Sequence, residues 1–71
     1  MAIFTNGERA DAAFHAVHAH DAQKNGRTSD EPLQDMVADL LADLMHLCHR
    51  TDGVDFSDCL QRAEMHFTDE S

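Results

Sequence analysis

Six histidines in a chain of 71 residues are the side chains best suited to bind a metal, and two pairs share one spacing. His15 and His18 are three apart, as are His46 and His49, while His20 and His66 stand separately. Residues three apart lie on one face of a helix, so two such helices side by side would offer four imidazoles to zinc or another transition metal. A structural zinc motif normally adds a recognisable cysteine-histidine spacing, and Cys48 and Cys59 are eleven apart. Exposed positions on helices are the simpler expectation for these histidines.

A second set is acidic. In "DMVADLLADLMHLCHR", residues 35 to 50, aspartate recurs every fourth position at Asp35, Asp39 and Asp43. Such a row is either a metal-binding or catalytic array or the wet side of a helix. At about 100° per residue, Asp35, Asp39, Asp43, His46 and Arg50 fall within a sector of roughly 80°, opposite the heavy apolar residues. That is the polar face of a surface helix. Asp35, Asp39, Asp43 and His46 are therefore expected to form a face open to a partner.

Nucleophilic catalysis finds little to assemble. Cys48 precedes His49, but neighbours in a helix point in different directions, so they make no dyad by position alone. Gly7, Gly26 and Gly53 each fall at an expected helix boundary and form no phosphate-binding loop. No catalytic residue is assigned, and no cofactor is expected from the residues themselves.

Three helices must position these groups, and each has start or stop signals. Thr5 followed by Glu8 is a capping-box pattern, which predicts a first helix over about 7–23. Its stripe is Ala10, Ala13, Phe14 and Val17, with His18 and Asp21 in the next places on that face, so it is weakly amphipathic. Asn25-Gly26 stops it, and Thr28, Ser29 and Asp30 are all candidate N-caps for the next helix, with Pro32 in its first turn.

From Leu33 to Cys48 apolar residues recur at helical spacing, predicting a helix over about 31–50. Its apolar sector, running from Met36 around to Met45, covers about half the circumference, where an ordinary surface helix needs a stripe of roughly 100°. Gly53 suits a left-handed C-cap and Asp55 an N-cap, and a third helix is expected over about 56–67. Its apolar face holds Phe56, Cys59, Leu60, Ala63 and Phe67. No alternating strand pattern of useful length occurs.

The expected fold is therefore all-α, one small domain over 1–71 with short flexible ends at 1–5 and 68–71. A domain this small buries only about 60% of its unfolded surface, and its short flanking helices offer little cover to the central one. Dimerisation would complete the bundle, with Leu40, Leu41, Leu44, Met45, Leu47 and Phe56 in the dimer contact or core.

Fourteen acidic and five basic residues give a formal charge of −9. That charge repels nucleic-acid backbones and favours a basic protein partner. "MAIFTNGERA" turns polar after four residues, so no signal peptide is expected, and no apolar run approaches the ~20 residues that span a bilayer. Cys48 and Cys59 read as small buried hydrophobes in a reducing cytoplasm.

Residues 39–60, "DLLADLMHLCHRTDGVDFSDCL", resemble the final helix-turn-helix of MazG-like, all-helical nucleoside triphosphate pyrophosphohydrolases. The matching positions are Asp39 and Asp43 on the helix and Gly53, Val54, Asp55 and Phe56 at the turn. The resemblance implies a dimeric bundle in which Asp39 and Asp43 hold magnesium and water hydrolyses the metal-bound triphosphate. The chain departs from that family's Glu-Glu-x-x-Glu and Glu-x-x-Asp helices, because Glu8 is alone on its helix and the second helix carries aspartates four apart. "DLLADLMH", "DF" and "AEMHF" are also similar to stretches of small proteins from bacteria and their phages or plasmids.

The function expected from these readings is a non-enzymatic, acidic, helical protein-binding or regulatory module. A magnesium-dependent nucleotide hydrolase is the alternative, and a histidine-based metal binder the third reading.

Overall fold

The computed structural model describes residues 5–26 and 30–70, and every regular element among them is helical. The first helix, α1, is Asn6–Asn25. Thr5 caps it as the sequence predicts: its hydroxyl oxygen accepts from the Glu8 N–H at 3.1 Å, and its own N–H donates to the Glu8 carboxylate at 3.1 Å. Two N–H groups that a helix start leaves without partners are thereby satisfied. Glu8 near the start and Lys24 near the end also complement the helix dipole. Gly26, at φ 76°, ends α1 in the left-handed conformation that favours glycine. Thr5→Ala is expected to cost about 1 kcal/mol of stability, read as a lowered melting temperature, while Thr5→Ser retains most of the cap.

The second helix, α2, is Leu33–Arg50, starting two residues later than the sequence predicts. The Pro32 carbonyl accepts from the N–H groups of Asp35 and Met36 at 3.0 and 3.1 Å, so Pro32 stands at the cap position just ahead of the first turn. Asp30 lies before the helix, and the other cap candidates, Thr28 and Ser29, lie outside the described residues. At the far end the Thr51 N–H donates to the Cys48 carbonyl at 3.1 Å, and the Thr51 hydroxyl donates to the Leu47 carbonyl at 2.7 Å. Gly53 takes φ 81°, the left-handed geometry expected of it.

Asp55 opens the third helix, α3, which is Phe56–Glu70. Its carboxylate accepts from the Ser57 N–H at 3.1 Å, and its carbonyl accepts from the Cys59 N–H at 3.0 Å. An exposed Arg62–Asp58 ion pair at 3.3 Å adds support one turn apart. The helix runs three residues past its expected end, with the Thr68 hydroxyl bonded to the Glu64 carbonyl at 3.0 Å.

Packing divides into two compact units, one ending at Leu40 and the other beginning at Leu41, so that α2 contributes to both. In the first unit Val17 of α1 and Met36 of α2 are buried, together with the polar Asp21. Asp21 follows Phe14 and Val17 at helical spacing, which brings its carboxylate inside, and it accepts from the Asn25 side-chain amide at 2.8 Å. In the second unit no described residue is buried; Asp43, Cys48 and Phe56 are half-buried and the others are exposed.

Candidate interaction face

The acidic row lies on α2, where Asp35, Asp39 and His46 are exposed and Asp43 is half-buried. Asp35 and Asp39 belong to the first unit, and Asp43 and His46 to the second. Asp39 also reaches a small cleft of about 50 Å³ in the first unit, lined in part by His20, Asp21 and Lys24. Even so, among the described residues no three histidine, cysteine or acidic side chains are placed to hold a metal ion. Asp39 and Asp43, the magnesium positions implied by the resemblance, are therefore joined by no third ligand among the described residues.

The histidine pairs are similarly dispersed. The ring of His18 packs on Phe14 with centroids 4.1 Å apart, and its Nδ1 lies 2.9 Å from the Phe14 carbonyl oxygen. His15 meets the same phenyl ring edge-on at 6.3 Å. These contacts give the first pair a local role within α1. His46 and His49 are both exposed on α2.

The apolar positions expected in a dimer contact or core are accessible in the single chain. Leu41, Leu44, Met45 and Leu47 are 37% to 54% exposed, while Leu40 and Phe56 are half-buried. Leu60, Met65 and Phe67 of α3 are also exposed, Phe67 most of all at 75%. Water-accessible apolar side chains thus occur on both helices of the second unit. Isolated exposed leucines are ordinary, whereas large contiguous apolar patches are the ones that mark interaction sites.

The cysteines differ from expectation. Cys48 is half-buried, Cys59 is exposed, and both are free thiols. Cys48 lies in the last turn of α2 and Cys59 in the first turn of α3. Removal from water pushes the Cys48 thiol pKa up, and the neighbouring Cys59 and the Asp55 carboxylate push it further. The burial of Asp21 was legible in the sequence, since its spacing from Phe14 and Val17 placed it on the same face.

The chain matches no protein-family model, no curated protein and no solved structure.

Proposed function

We propose that this protein is a small acidic binding module without enzymatic activity, which works as a homodimer and has an accessory or regulatory role in a phage or other mobile element. The observation that carries this reading is the second unit: no described residue there is buried, although Leu41, Leu44, Met45, Leu47, Leu60, Met65 and Phe67 are all exposed. Ordering a residue costs about 1–2 kcal/mol in backbone entropy alone, and fully burying a leucine or methionine side chain returns about 1.5–3 kcal/mol. Two helices that bury no side chain fully lack that return.

A second copy supplies it economically. Two helix pairs make a four-helix arrangement, and a two-fold symmetric contact uses the same apolar surface from each chain. The strip of Asp35, Asp39, Asp43 and His46 lies on the polar side of α2 and is the surface for a basic protein partner. The charge of −9 attracts such a partner and disfavours nucleic acid.

Salt separates the two contacts. Two chains of charge −9 repel, so added salt should strengthen self-association by screening that repulsion. It should weaken binding of a lysine-rich peptide to the acidic strip. Sedimentation equilibrium and peptide titration over a salt series measure both. Dimerisation that weakens with salt would contradict the apolar contact, and peptide binding indifferent to salt would contradict the acidic one.

A further inference from the structure

Both asparagines of the chain, Asn6 and Asn25, are followed by glycine, and they occupy the first and last positions of α1. A glycine nitrogen has no Cβ beside it and little backbone restriction, so an asparagine before glycine is open to attack on its own side-chain amide. The two ends differ in their surroundings. The Asn6 side-chain carbonyl accepts from the Arg9 guanidinium at 3.1 Å, on the exposed surface. Asn25 is also exposed, but its amide donates at 2.8 Å to the carboxylate of Asp21, which is only 5% exposed. Asp21 lines a cleft of about 50 Å³ with His20, Lys24, Glu31 and Asp39, so among the described residues three carboxylates there share one lysine and one imidazole. Gly26 turns out of the helix at φ 76°, with nothing among the described residues within 4 Å of where a Cβ would stand. Space for ring closure is therefore open.

We infer that Asn25 is a self-modification site, at which loss of the side-chain amide turns a hydrogen-bond donor into a carboxylate facing the buried Asp21 and loosens the first unit. The Gly26 backbone nitrogen attacks the side-chain amide carbon of Asn25 and closes a five-membered succinimide. The carbon–nitrogen bond of the amide breaks, and its nitrogen leaves as ammonia with the proton from Gly26. Water then opens the ring at either carbonyl, giving aspartate or isoaspartate. The whole change converts an amide and water to an acid and ammonia, with no oxidant or reductant. Attack requires the last turn of α1 to open and the bond to Asp21 to break, and helix ends open most readily. Two effects then keep the product from closing again. A carboxylate cannot donate to Asp21 and repels it, and negative charge at this end opposes the helix dipole. At Asn6 the same chemistry has the opposite consequence, because negative charge suits the start of α1 and turns the Arg9 contact into an ion pair. The far end of α1 is thus a one-way clock whose rate follows the opening of its own unit.

The test is incubation of the intact protein in mildly alkaline buffer at physiological temperature, followed by cleavage after lysine and arginine and mass spectrometry. The peptide from Asn25 to Arg27 should gain the mass difference between an amide and an acid, and should separate into aspartate and isoaspartate forms. Asn25→Gln should show no such gain. Asn25→Asp should melt about 5–10 °C lower than the unaltered chain, whereas Asn6→Asp should melt no lower. Asp21→Asn combined with Asn25→Asp sets an amide against a carboxylate again, with donor and acceptor exchanged, and should recover most of the lost melting temperature. Asn25 left intact while a urea-denatured control is converted, an Asn25→Asp chain as stable as the original, or no recovery in the double variant would each overturn the inference. These readouts hold whether or not the chain dimerises.

Discussion

Leu41→Glu is expected to separate the proposed dimer into single chains, weakening self-association by at least about 100-fold, or roughly 3 kcal/mol at 1.4 kcal/mol for each factor of ten. Leu41 is 43% exposed within one chain, so much of its surface is available to a second. Glutamate there would remove an apolar contact and require an ionised carboxylate to leave water. Two-fold symmetry applies the penalty once from each side of the interface. Circular dichroism at dilute concentration should show that the substituted chain remains helical, because glutamate is a good helix former. Asp39→Ala on the polar side should leave the dimer intact and diminish binding of the basic peptide. Equal loss of self-association in both variants would place the contact elsewhere.

The second large effect concerns two methionines on the same helix. Met36 is 3% exposed and, with Val17, makes up the buried apolar part of the first unit among the described residues; Met45 is 54% exposed. Met36→Ala should cost about 2–5 kcal/mol, the range for deleting a large side chain from a packed core. A domain of this length has total stability of only about 3.5–10 kcal/mol, so the variant should lose a large share of its stability and melt at a much lower temperature. Met45→Ala should leave the melting temperature of the dilute single chain nearly unchanged while reducing association. Thermal melts at two protein concentrations read both effects. Comparable destabilisation by the two substitutions at high dilution would mean that exposure in the chain does not report its core.

The all-α fold was legible because its helix ends are chemical. Thr5 with Glu8, Gly26, Gly53 and Asp55 each supply or demand a specific backbone arrangement, and each occurs where the sequence placed it. The start of α2 was less legible, since Thr28, Ser29 and Asp30 offer comparable capping chemistry while the Pro32 carbonyl, common to any residue type, receives the first helical bonds. The end of α3 was missed because its polar residues give no stop signal, and a helix continues through such residues until something interrupts it.

For the candidate face, periodicity supplied angles around a helix but not neighbours. It placed Asp35, Asp39 and Asp43 opposite the apolar sector, and it showed that the sector was wide. It did not show that Met36 would be covered within the chain while Leu41, Leu44, Met45 and Leu47 remained accessible, because that depends on which residues reach them from other helices.

The central claim is that a second copy covers the apolar side chains from Leu41 onward. Isotope-filtered NMR on a mixture of labelled and unlabelled chains measures this directly through contacts between methyl groups of different molecules. Cross-chain contacts at Leu41, Leu44, Leu47 and Leu60 are predicted. Their absence in a folded sample whose molar mass is that of one 7.9 kDa chain would contradict the account.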